Sequence, residues 1–284
     1  MNDARCKICG SSSLTIFDHT ATCGACGVLL FWPYPESDAN LVLGEGKPFA
    51  GALREWYLEA SFHNHTNFTN MLRFTIDESF KGRRFDVLDY GGGAGQFALV
   101  CQSHYPDATV HITDIDDSAL MDAYRPLNRQ IPFKGFEADE TRFDVIFLND
   151  VFEHVSDPAA VLRCLTAKLK PSGKIFIDTP RQFWAYPLTR ILWKPLYARL
   201  LRGTVSIAHL QVWSRRSFEM VVKSAGLKVV KYRKVNEFSM PPDHYLKLMG
   251  IRNPVLVSAA MLFYRQLRRA TRNKIICVLS PEHA

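Results

Sequence analysis

Apolar positions along this chain come in two rhythms. Short apolar or alternating runs at Phe85–Tyr90, Ala108–Thr113, Ile131–Phe136, Phe143–Asn149, Lys174–Asp178, Leu227–Val235 and Lys274–Leu279 predict strands. Between them, helical spacing marks Gly95–His104, Ser118–Tyr124, Asp157–Leu169 and Ser214–Ala225. Ser156-Asp157-Pro158 is a helix start, because an Asp cap and a Pro at the first helical position satisfy and preset the backbone there. Strand alternating with helix predicts an α/β fold, a doubly wound and mostly parallel seven-stranded sheet covered on both faces. Upstream, Trp56, Phe62, Phe68, Leu72 and Ile76 keep a helical spacing within Leu53–Phe80, which ends at the turn Lys81-Gly82-Arg83-Arg84.

The 284 residues suffice for one such core plus a small module. The pattern divides them into a ribbon at 1–36, a linker and helical segment at 37–84, and the main domain at 85–284. Residues 181–208 and 237–273 break the alternation, being rich in aromatics, Leu and Arg, and are read as insertions over a site or a surface. The longest nearly apolar run, Val255–Tyr264, is half of the ~20 residues a spanning helix needs, and Met1-Asn2-Asp3-Ala4-Arg5 has no signal-peptide character. A cytoplasmic protein is expected.

Charge changes this picture. The net charge of +7 hides a division. Residues 1–180 carry 16 Lys and Arg against 24 Asp and Glu, and residues 181–284 carry 19 against 4. Such a basic C-terminal part predicts an anionic partner.

The richest passage is Val87-Leu88-Asp89-Tyr90-Gly91-Gly92-Gly93-Ala94-Gly95-Gln96-Phe97, a strand passing through glycines into a helix. Glycine lets the backbone turn sharply and approach a ligand. A dinucleotide fingerprint begun at Gly91 needs glycine at position 96, which is Gln96. The arrangement Asp89-x-Gly91-x-Gly93-x-Gly95 resembles the first motif of class I S-adenosylmethionine-dependent methyltransferases. An acid there repels a pyrophosphate and suits an ammonium and a sulfonium. The next strand ends at Asp114, 25 residues beyond Asp89, where a carboxylate can take both ribose hydroxyls. Asp116 is the second choice, and with Asp117 it is expected to cap the following helix. Glu137 and Asp139 are weaker candidates for an adenine contact.

Asn149-Asp150-Val151-Phe152-Glu153-His154-Val155-Ser156-Asp157-Pro158 is similar to the Glu-His-Val/Ile-x-Asp-Pro passage of small-molecule members of that family. His209-Leu210-Gln211-Val212-Trp213-Ser214, with Ala225-Gly226-Leu227, resembles a later block of the same family. The resemblance implies S-adenosylmethionine as cofactor, held by Asp89, Gly91, Gly93, Gly95, Asp114 and Asn149. His154 first and His209 second are the expected acid–base residues, since imidazole titrates near neutrality.

Cys6-x-x-Cys9-Gly10 and Cys23-x-x-Cys26-Gly27 form two knuckles separated by 13 residues. Four thiolates in this pattern predict one structural zinc ion with no open position. A ribbon joined to such a core resembles enzymes of bacterial sugar and polysaccharide biosynthesis. The expected function is therefore O- or C-methylation of an anionic small-molecule or glycan acceptor, such as a sugar, nucleotide-sugar or polysaccharide precursor. Two alternatives stay open: an RNA methyltransferase, disfavoured because no Asn/Asp-Pro-Pro-Tyr/Phe signature follows the fourth strand, and a membrane-associated scaffold with peripheral contacts through Arg190–Arg202 and Val255–Arg272. Oligomeric state is not encoded in any pattern we find.

Overall fold

The computed structural model of the chain describes residues 4–17, 19–35, 64–182, 209–237, 252–267 and 272–282. The ribbon contributes β1 (Leu14–Phe17), β2 (Thr20–Cys23) and β3 (Leu29–Phe31). A helix α1 (64–75) follows, and then β4 (Phe85–Tyr90), α2 (Gln96–His104), β5 (Ala108–Thr113) and β6 (Arg129–Gln130). The second half holds β7 (Phe143–Asn149), α3 (Pro158–Ala167), β8 (Leu169–Pro180), β9 (Gln211–Val212), α4 (Arg215–Ser224), β10 (Leu227–Val235), α5 (Pro254–Leu267) and β11 (Lys274–Pro281).

Seven strands form one sheet in the order β10-β11-β8-β7-β4-β5-β6. β4 pairs in parallel with β5 and β7, and β7 with β8, while β11 runs antiparallel to both neighbours. The doubly wound, mostly parallel sheet expected from the alternation is thus present. Its strands alternate between two cores, as a period of two requires. Val87, Val145, Phe147, Phe176, Ile276 and Val278 pack with Phe68, Met71 and Leu72 of α1 and Phe97 of α2. Leu88, Ile146, Leu148, Ile175, Ile177 and Cys277 face α3, α4 and the ribbon.

Several expected elements differ in detail. The strand foreseen at Ile131–Phe136 is instead β6, two residues earlier, followed by a 3-10 turn at Phe133–Gly135. Pro132 lacks the N–H that would continue the ladder, so pairing stops after Ile131 donates to the Ile112 carbonyl at 2.8 Å. Ser118–Tyr124 is not a helix. Asp116 accepts from the Ser118 N–H and Asp117 from the Phe133 N–H, so these side chains divert the backbone into turns rather than capping a helix. Asp157–Leu169 is helical only through Ala167, and Leu169 already pairs with Phe143. Of Leu53–Phe80, residues 64–75 are helical and 53–63 lie outside the described residues. Most of the two insertions, Arg190–Arg202 included, also lies outside them. Among the described residues no helix is long and apolar enough to cross a membrane.

The ribbon is not a separate bead. β3 pairs with β9, Leu29 opposite Val212 and Leu30 opposite Gln211, so a strand of the main domain completes the ribbon's sheet. Cys6, Ala21, Val28, Leu30 and Tyr34 share one core with Phe152, Leu210, Trp213 and Phe218.

Candidate active site

β4 and β7 deliver their last residues to the same end of the sheet, the end where open α/β sheets bind ligands. An open cleft lies there, lined by Phe68, Asp89, Gly91, Gly92, Ala94, Gln96, Phe97 and Asn149. Gly91 has φ 75°, a conformation costly for other residues, and a Cβ on it would stand 2.5 Å from Val151. The glycine loop therefore sits directly against the loop that follows β7. Gly95, at φ 84°, opens α2.

Asp89 is 4% exposed although it lines the cleft. Burial, and then the neighbouring Asp114, push its carboxyl up to about 7. Asp114 is knitted into the loop: its oxygens accept from the Gly93 N–H and the Asp116 N–H, each at 2.9 Å. Burial raises the Asp114 carboxyl as well, against those two hydrogen bonds. A buried acid lining the cleft, with a second, partly buried acid at the glycine loop beside it, is an arrangement suited to a cationic ligand. Glycine backbone, carboxylates and the Asn149 amide together fit S-adenosylmethionine. Glu137 is exposed and the Asp139 carboxylate accepts from the Thr141 N–H, and neither is among the residues lining the cleft.

Beyond Asn149 the chain passes through Asp150 in a left-handed conformation (φ 53°) into Glu153 and His154. His209 approaches from the segment before β9, and its ring centroid lies 5.0 Å from that of His154. Burial, and then His154 beside it, hold the His209 ring down at about 4. Such a ring is neutral across the physiological range and takes a proton weakly. The two histidines are brought together by the backbone, since Leu210 N–H donates to the Glu153 carbonyl at 2.8 Å. Gln211 adds two bonds, from Nε2 to the Phe152 and Val155 carbonyls, and its Oε1 accepts from the Tyr34 hydroxyl at 2.5 Å.

A buried charge cluster, absent from our reading of the sequence, backs this corner. The Lys274 Nζ reaches Asp150 at 2.6 Å and Asp178 at 3.1 Å. Burial alone would push this ammonium down, but Asp150, Asp178 and Glu237 overcome it and hold the charge well above its usual range. Glu153 is 1% exposed, and burial pushes its carboxyl up to about 7. The available signal was a lysine heading an otherwise apolar, buried strand, Lys274-Ile-Ile-Cys-Val-Leu.

In the ribbon, Cys6 and Cys26 sulfurs are 3.8 Å apart and Cys9 and Cys23 3.6 Å, with all four within 4.8 Å of one another. Zn–S bonds of about 2.3 Å in a tetrahedron place sulfurs ~3.8 Å apart, so the cage fits zinc.

Comparison with known proteins agrees with this geometry. Residues 63–232 match the sequence model of a family described as a methyltransferase domain. The ubiquinone biosynthesis O-methyltransferase of Coxiella burnetii (strain Dugway 5J108-111) is 27% identical over 225 residues, 73% of this chain and 94% of that protein. A chain of the complex formed by the Haloferax volcanii Trm112 methyltransferase activator superposes with a TM-score of 0.56 at 15% identity, over 83% of this chain and 96% of that one. The Haemonchus contortus phosphoethanolamine N-methyltransferase 2, in complex with S-adenosyl-L-methionine, gives 0.51 at 15% identity, over 76% and 52%. At such identities the solved structures establish a shared fold.

Proposed function

The chain belongs to the methyltransferase-domain family and is a class I S-adenosylmethionine-dependent methyltransferase, and from that premise we propose that it methylates a hydroxyl of a small-molecule acceptor. The observation that carries the acceptor half is the meeting of His154 and His209 over the end of β7, one loop away from the glycine cleft. Asp89, Gly91, Gly93, Gly95, Asp114 and Asn149 hold the cofactor. Asp89 and Asp114 balance its positive charge, and the glycines admit it to the backbone.

When bound, the cofactor supplies an activated methyl group. The protein's own part is to hold acceptor and methyl carbon in line and to keep water out. At the acceptor oxygen a proton has to leave, and His154 and His209 are the groups of the right chemistry gathered at this corner to promote that loss. The Coxiella relative's name, an O-methyltransferase, supports oxygen as the accepting atom. Zinc in the Cys6, Cys9, Cys23 and Cys26 cage is structural, since four thiolates leave no open position.

Calorimetry with S-adenosylmethionine and its demethylated product, followed by mass-shift screening of hydroxylated acceptors, tests the reading. His154→Ala should lower turnover by about 10²–10⁴-fold, the usual worth of a positioned acid–base group, with cofactor affinity retained. Near-normal turnover would remove His154 from this role.

A second reading of the acceptor, an anionic sugar, nucleotide-sugar or polysaccharide precursor, is favoured by one observation, the 19 basic against 4 acidic residues of 181–284. Affinity for such an acceptor should fall as salt rises, whereas a neutral phenolic acceptor would show little salt dependence.

A further inference from the structure

Glu153, His154 and His209 offer one carboxylate oxygen and two ring nitrogens that all lie within 4.8 Å of one another. Donors on a single first-row ion, bound at about 2.0–2.2 Å, stand no more than ~4.4 Å apart, so a side-chain shift of a few tenths of an ångström closes the set. The Glu153 side chain is buried, and its two oxygens are unequal. Oε2 accepts from the Thr179 hydroxyl at 3.0 Å, while Oε1 has no hydrogen-bond partner among the described residues. A buried carboxylate oxygen left in that state is costly unless something else meets it.

The surroundings favour a cation. Among the described residues, Asp150, Asp178, Glu237 and Glu153 gather around one ammonium, Lys274. The donors are also fixed in place. Leu210 ties the His209 segment to the Glu153 carbonyl, and Gln211 ties it to the carbonyls on either side of Glu153 and His154. Two imidazoles and a carboxylate form the donor set of open sites for divalent first-row ions, in which the remaining positions are left to water or substrate.

We propose that Glu153, His154 and His209 bind one divalent first-row ion, which in turn binds and activates the acceptor hydroxyl. The inference rests on the reading of this corner as the acceptor side, and makes the ion the means by which the histidines promote loss of the proton. The hydroxyl, once on the ion, gives its proton to water. Its oxygen then forms the bond to the methyl carbon as the carbon–sulfur bond breaks, and that electron pair returns to sulfur, turning the sulfonium into a neutral thioether. The ion's oxidation state does not change.

Manganese is the probe of choice, because a hard ion prefers nitrogen and oxygen donors and leaves the thiolate cage to zinc. Zinc-loaded full-length protein is titrated with Mn²⁺ and the loss of the free-ion electron paramagnetic resonance signal is followed. The expected result is one Mn²⁺ per chain, with affinity reduced tenfold or more in both Glu153→Gln and His209→Asn. Melting temperature and S-adenosylmethionine affinity, measured on the same samples, separate loss of a ligand from loss of the fold. No Mn²⁺ binding to the wild-type protein, or unchanged affinity in folded forms of both variants, overturns the proposal. If Mn²⁺ binds as expected but S-adenosylmethionine does not, the ion site stands and the functional reading falls. If the cofactor binds and Mn²⁺ does not, only the ion site falls.

Discussion

Asp89 illustrates how one residue can trade stability for binding. Its folded-state value, about 7, lies above the ordinary 3.8, so the folded protein holds this proton more tightly than the unfolded chain does. The sign follows directly: Asp89 costs stability progressively as pH rises from 3.8 through about 7. At pH 8, Asp89→Asn should therefore raise the melting temperature of the ligand-free protein and weaken S-adenosylmethionine binding by roughly ten- to hundredfold, the worth of a charged contact. A cationic ligand favours the ionised form, so binding at pH 6 should expel a proton and affinity should climb with pH until about 7. Calorimetry in two buffers of different ionisation heat reads that proton, and its absence would take Asp89 out of contact with the cation. The glycines, Asp89 and the cysteine knuckles were legible because each set is contiguous in sequence. Lys274 was not, since its partners Asp150 and Asp178 lie 124 and 96 residues away and no local rule links them.

Among the elements, β4, β5, β7 and β10 were readable to the residue, because each is a run bounded by turn-formers. β6 and the stretch after β5 were misread where Pro132 and the aspartates at 116 and 117 outweighed apolar spacing. The pairing of β3 with β9 was invisible for another reason: a two-residue strand carries no periodicity. Leu30 sits in that pairing and is fully buried. Leu30→Ala should cost about 2–5 kcal/mol, the usual range for truncating a core leucine, and denaturant unfolding followed by both near- and far-UV signals should remain a single transition. Two separate transitions would show that the ribbon folds by itself. A smaller loss, about 1–3 kcal/mol, is expected for Tyr34→Phe, which leaves the buried Gln211 oxygen without its hydroxyl donor.

For the whole molecule, the shared core would make an occupied cysteine cage a support of the corner that carries His154 and His209. Besides the strand pairing, the Ser214 hydroxyl donates to the Cys26 carbonyl and the Gln182 amide to the Gly27 carbonyl. Stripping zinc with a chelator should therefore lower the melting temperature of the entire protein and loosen the segment bearing His209, measurable as faster amide exchange at Leu210 and Gln211. Unchanged exchange there would mean that the cage and this segment are energetically independent. The same connection sets an order of events during synthesis. Tyr34 meets its partner Gln211 177 residues later in the chain. Until that stretch leaves the ribosome, β3 presents an unpaired edge, open to the wrong neighbour. The nascent chain thus carries its earliest strands in an unfinished state through most of translation, and completes them only when the catalytic half arrives.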